Sequence, residues 1–174
     1  MSVRRVKIYA APSAINASVE ETVAKIGVEV QSRAFKTANE LKTASNHVLR
    51  GQRTGRRYKV PGTYGRQRDK RTGRMVNGVY YTASAPGEPP AVRTGAFRGK
   101  WQHKTFVDNR IGQDFHVHGV IENGIRVGKS SQYLLGDLLE DGTARMAARP
   151  YKQRVIDRAL PRIERIYNAP YYLG

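Results

Sequence analysis

Apolar side chains recur along the first third of the chain at Val19, Val23, Ile26, Val30, Ala34, Ala38, Leu41, Ala44 and Val48. Steps of three and four put them on one narrow stripe of a helix. Ser18 and Glu21 have the spacing of a capping box, Glu20 and Glu21 suit the positive end of the helix dipole, and Gly51 stands where a helix C′ glycine belongs. At 1.5 Å per residue such a helix is about 45 Å long, more than a globule of 174 residues needs. It either lies along its whole length across its own sheet, or packs in part on its own sheet and in part on an adjacent subunit.

Beyond the helix the period changes. Val3, Val6, Ile8 and Tyr9 suit a short strand or extended arm, and Gly78 to Ala83 has strand composition. Thr105 to Val107 and Phe115 to Ile121 read as strands joined by a turn near Asn109, and Asn123-Gly124 predicts a hairpin into Ile125 to Val127, which together make an antiparallel meander. Residues 94–101 suit a short helical turn. Tyr133, Leu134, Leu135, Leu138 and Leu139 supply apolar anchors, and Asp141-Gly142-Thr143 turns the chain. Tyr151, Val155, Ile156, Ala159, Ile163 and Ile166 return to helical spacing, with Pro150 near the helix start and Pro161 kinking it or beginning a second helix. The predicted class is α+β: a long N-terminal helix and a C-terminal helix on a small antiparallel sheet, with an extended basic loop. One domain over 1–174 carries an N-terminal arm (1–17), the loop (50–76) and a C-terminal tail (167–174). The tail is aromatic and uncharged after Asn168 and is expected to dock on a neighbour.

Charge changes the picture most. Between Arg50 and Arg74 ten lysines and arginines face one acidic residue, Asp69, so this short stretch holds +9 of the chain's net +17. Charge so concentrated repels itself and suits a polyanion or an acidic protein surface. Arg53, Arg56, Arg57, Lys59, Arg66, Arg68, Lys70, Arg71 and Arg74 are the candidate contacts. Having little apolar area to bury, the loop is expected to leave the globule and order only against neighbours. In contrast, the Ala85-Pro86-Gly87-Glu88-Pro89-Pro90 run that follows is a rigid connector, since proline excludes helix there.

Composition removes several classes. The absence of cysteine excludes disulfides and thiolate chemistry and agrees with a reducing cytoplasm. The apolar runs are too short to span a bilayer, and the first residues, MSVRRVKIYAAPSA, lack the apolar core of a signal peptide. His116 and His118 share a strand face and could begin a metal site with Asp114, Glu122 or His103, but no spacing selects a third ligand, and sheet-face imidazoles are the simpler reading. Asp137, Glu140 and Asp141 could act as paired carboxylates, yet local pairing with Arg145 or Arg149 accounts for them. Arg149 is expected to fix the entry to the last helix by pairing with Glu140 or Asp141, rather than with an acidic group across an interface. No nucleophile elbow, phosphate loop or zinc-protease pattern is present, so no enzyme and no cofactor are expected.

Three segments in order, RTGRRY (Arg53–Tyr58), YTASAPGEPPAVRTGAF (Tyr81–Phe97) and EDGTARMAARPY (Glu140–Tyr151), resemble the tail-component family of long-tailed bacteriophages, the head–tail joining, neck or tail-completion proteins. Val60 to Val76 is an insertion relative to that pattern. The resemblance implies a non-enzymatic virion protein of the neck, assembled in the host cytoplasm. It implies a ring, commonly of six subunits, with double-stranded DNA in its lumen and connector or head-completion and tail-terminator or tail-tube proteins as neighbours. Subunit contacts are then expected at Pro86, Gly87, Pro89, Pro90, Phe97, Trp101, Met146, Arg149 and Tyr151, beside the long helix. The competing reading is an independent protein that binds nucleic acid non-specifically through the basic loop and the basic C-terminal helix.

Overall fold

The computed structural model describes residues 12–93, 95–108 and 116–171. The strand expected over residues 3–10 and the turn near Asn109 lie outside them. The first helix, α1, runs from Pro12 to Arg50, 39 residues and about 58 Å. It starts six residues before the expected cap, so Ser18 and Glu21 lie inside it and part of the expected N-terminal arm is helical. Proline at the first helical position lacks only an N–H that would have no partner there. The other end stops before Gly51, as the sequence predicts.

Among the described residues the strands form four separate two-stranded antiparallel sheets instead of one sheet. In the basic segment β1 (Arg57–Lys59) pairs with β4 (Tyr80–Thr82), and β2 (Arg66–Arg68) pairs with β3 (Met75–Asn77). The expected loop is therefore a jointed hairpin arm with two short backbone ladders of its own. After the short α2 (Ala96–Gly99), β5 (Gln102–Asp108) and β6 (His116–Glu122) form the longest ladder. The meander ends there. β7 (Arg126–Val127) pairs with β8 (Tyr133–Leu134), not with β6, because Asn123 spends its amide elsewhere. The Asn123 Nδ2 donates to the Phe97 carbonyl at 2.6 Å and its Oδ1 accepts the Ile125 N–H at 3.3 Å, an Asx turn that leads the chain away from the ladder.

α3 (Leu135–Asp141) and α4 (Lys152–Asn168) complete the α+β fold. The C-terminal half of α1 is held between the β5–β6 ladder and α4. Small residues make this possible: Ala34 and Ala38 are buried on α1, and a Cβ on Gly119 of β6 would overlap the Ala34 carbonyl oxygen. On the other side Val155 and Ala159 of α4 join Ala44, Leu49, Trp101 and Tyr151 in the core. That apolar face holds α4 as one helix through Pro161. Pro150 precedes the helix, which is entered at Tyr151; the Glu140 carboxylate accepts the N–H groups of Tyr151 and Lys152 at 3.0 and 3.2 Å and so takes the capping role.

The end of α4 is tied to α1 by a buried charge. Arg33, with a side chain only 2% exposed, donates to Glu29 and to the carbonyls of Tyr167, Ala169 and Pro170 at 2.8–3.0 Å. The described part of the C-terminal tail is therefore seated on its own subunit, with Tyr167 and Tyr171 still half-exposed. Residues 172–174 lie outside the described residues.

Candidate assembly surface and cationic arm

The joint of the arm lies at residues 60–65 and 78–79. Val60 N–H donates to the Val79 carbonyl at 2.7 Å and Gly78 N–H to the Gly65 carbonyl at 2.8 Å, while both Gly65 and Gly78 take positive φ. Thr63 fills the joint, its hydroxyl bonded to the Val60 carbonyl and accepting the Val79 N–H. Arg57 in the root ladder pairs with Asp69 in the tip turn, so the tip folds back toward the root. Asp69 also accepts the Arg71 N–H at 2.8 Å. Arg57 lies over the Tyr80 ring at 4.5 Å and Tyr58 contacts Tyr81 across the root ladder, so these tyrosines stiffen the arm. Arg56, Lys59, Arg66, Arg68, Lys70, Arg71 and Arg74 are exposed.

Arg53 does not belong with them. Its guanidinium donates to the Val48 carbonyl near the end of α1 at 3.0 Å and to the Pro90 carbonyl at 3.1 Å. Partial burial lowers its pKa below the ordinary value, while the charge of Glu88 acts in the opposite sense. Next to it, Thr54 donates its hydroxyl and its N–H to the Glu88 carboxylate at 2.7 and 3.1 Å, and Ala85 N–H donates to the same group at 2.8 Å. The Ala85 bond, then the two from Thr54, hold the Glu88 carboxyl down at about 2. Gly55 permits the approach, since a Cβ there would lie 2.6 Å from the Ala83 carbonyl oxygen.

The third motif closes the same clasp. Arg149 donates to the Ser84 carbonyl at 2.6 Å, Gly87 N–H to the Ala148 carbonyl at 3.2 Å, and Arg154 to the Gly87 carbonyl at 3.0 Å. Ser84, buried, donates its hydroxyl to the Pro89 carbonyl at 2.7 Å. Arg149 therefore pairs with a backbone carbonyl and not with Glu140 or Asp141, because Glu140 is committed to the start of α4. The three segments that carry the family resemblance are, physically, one intrachain clasp at the root of the arm.

This moves several expected interface residues inward. Pro89 and Pro90 are buried in the clasp. Trp101 and Tyr151 are buried in the core, where they and Phe97 pack edge to face with centroids 5.7–6.1 Å apart. Burial, with Glu140, Asp137 and Asp141 nearby, pushes the Tyr151 phenol far above its usual range. Met146 and Arg149 are half-buried, and Met146 lines a cavity of about 460 Å³ with Phe97, Pro90 and Leu139. Pro86 and Gly87 remain exposed.

Among the described residues, what stays uncovered is the stretch of α1 from Val19 to Ile26. Val19, Val23 and Ile26 are 56%, 62% and 39% exposed, on the same stripe that is buried from Ala34 onward. The outer face of the β5–β6 ladder, turned away from α1, carries exposed Phe106 and Val120 among polar neighbours, with His118 stacked on Phe106 at 4.9 Å. Among the described residues the subunit thus offers two surfaces with exposed apolar side chains, one on a helix and one on a sheet.

Sequence reasoning missed Arg33 and Glu88. The four-residue step from Glu29 to Arg33 signals the pair, but the backbone acceptors from α4 have no local sign. Among the described residues no group of three or more His, Cys, Asp or Glu could hold a metal ion. Asp114 lies outside them, as does the side chain of His116, and His103 packs its ring on Phe35. Asp137 pairs with Lys152. Among the described residues no helix is long and apolar enough to cross a membrane. No family model, curated protein or solved structure matches this chain.

Proposed function

We propose that the protein is a structural subunit of the neck of a long-tailed bacteriophage, closing into a ring that joins the DNA-filled head to the tail around the DNA channel. The observation that carries this reading is the uncovered part of the α1 stripe. Apolar residues at regular helical spacing continue for several turns beyond the last described element that packs on them, and such a stripe is a place for another protein surface. A closed ring needs two different complementary surfaces on each copy, and the exposed helical and sheet faces supply two. The order of the three sequence motifs directs this general assembly reading to the neck. The ring has six subunits in the form implied by the resemblance, with head-side connector and tail-side terminator or tube proteins above and below it. No catalytic role is part of the proposal.

The test is native mass measurement of the purified chain over a range of concentrations, with imaging of the phage particle for its placement. A ring mass and a copy of the subunit at the head–tail junction are expected. A chain that stays monomeric and is missing from that junction overturns the proposal.

A further inference from the structure

We infer that the tip of the arm binds duplex DNA through its phosphates, independently of sequence, as a two-stranded ribbon. Arg66, Arg68, Lys70, Arg71 and Arg74 are all exposed, and among the described residues no carboxylate pairs with any of them. Asp69, the acid in their midst, is turned inward onto Arg57. The ladder register puts Arg66 opposite Asn77 and Arg68 opposite Met75, so the two arginines stand on one face of the ribbon. Lys70, Arg71 and Arg74 occupy the turn and its exit. Neither long helix packs on this ladder.

Two features separate DNA from an acidic protein and duplex from single strand. From Arg66 to Arg74 the sequence is RQRDKRTGR, without one apolar side chain, and Met75, opposite Arg68, stands alone as the exposed large apolar residue of the ribbon. A protein partner would find no dry centre on which to build a stable contact, whereas phosphate binding draws on counterion release and needs none. Single strands are held on aromatic platforms, and the tip has none; Tyr64 stands at the joint, with the Lys59 ammonium 5.6 Å from its ring centroid. A two-stranded ribbon matches the width of the duplex major groove.

The test uses the full chain and a 30-base-pair duplex of random sequence, followed by fluorescence anisotropy from about 50 to 200 mM salt. Five phosphate contacts at about −0.9 each give a log–log slope of about −4.5 per bound subunit, or about a 500-fold loss of affinity over that range. Changing all five cations to Gln is expected to remove most of the slope with the circular dichroism spectrum unchanged, because these side chains hold nothing in the fold. Arg158→Gln with Arg165→Gln on α4 is the control and is expected to keep it. The inference is overturned if the five-Gln chain retains the slope, if poly-glutamate competes as well as the duplex, or if a single strand of equal length binds more tightly. It does not depend on the ring: duplex binding of this kind by a chain that stays monomeric and is missing from the head–tail junction overturns the neck proposal and leaves this one standing.

Discussion

The guanidinium of Arg33 lies 3.9 Å from the centroid of the Tyr171 ring, stacked between the long N-terminal helix and the end of the chain. Four hydrogen bonds fix it there, three of them to carbonyls at the end of α4. A cation at that position also complements the negative end of the helix dipole. Replacing it by Met leaves Glu29 and three carbonyls without their donor. Removing one partner of a buried pair costs about 3 kcal/mol, and urea denaturation of Arg33→Met should show a loss of that size. Arg33→Lys should recover only part of it, since an ammonium cannot span the same fork of acceptors. An unchanged denaturation midpoint would show that the tail is not held by this residue.

Gly119 sets the distance between α1 and the β5–β6 ladder, because any Cβ there meets the Ala34 carbonyl oxygen, which is backbone and cannot swing aside. Gly119→Ala should destabilise the protein by about 2 kcal/mol through overpacking. Amide hydrogen exchange should be faster along β5, β6 and the middle of α1, and unaltered in the arm. Equal protection in both chains would place the helix further from the ladder than described.

The Glu88 carboxyl titrates at about 2 in the folded chain against an ordinary value of 4.5. Its folded pKa is depressed, so the stabilisation is fully present above about pH 4.5 and is lost as pH falls toward 2. Acidification through that window should therefore loosen the clasp at Thr54 and Ala85, read by the exchange of their amides in NMR spectra. Glu88→Gln should begin loosened at neutral pH and show little further change over the same window. Identical pH profiles for the two chains would remove Glu88 from the clasp.

The uncovered stretch of α1 makes a distinct prediction about assembly. Val23 is 62% exposed, so Val23→Glu should leave the melting temperature of the subunit unchanged while abolishing association, as measured by sedimentation. Phe106→Glu on the outer sheet face should do the same if that face is the complement. Mixing the two variants then permits one intact helix–sheet junction per pair, giving dimers that neither forms alone. Full association of the Val23→Glu chain would exclude the stripe from the interface.

Much of this was legible beforehand because it is local. Helical spacing places the stripe of α1 and the apolar face of α4, and strand composition places β4, β5 and β6. The failures share a physical cause. Asn123-Gly124 has hairpin chemistry, but a carbonyl of Phe97, 26 residues away, claims the side chain. Arg149 has nearby acids, yet one of them is taken by the start of α4 and the guanidinium turns to Ser84, 65 residues away. Trp101 and Tyr151 were expected at an interface and are buried in the core, a choice that depends on what else arrives.

By itself the sequence determined the two long helices and most of the longer strands, and it concentrated the positive charge in a single segment, since periodicity and net charge are properties of neighbouring residues. Only the tertiary structure decided that the basic segment is a jointed hairpin with its acid turned inward, that three separate motifs form one clasp, and that Val19, Val23 and Ile26 of α1 are left exposed. Hydrogen-bond partners and burial are settled between residues far apart in the chain, where each donor or apolar face takes the partner that packing brings within reach.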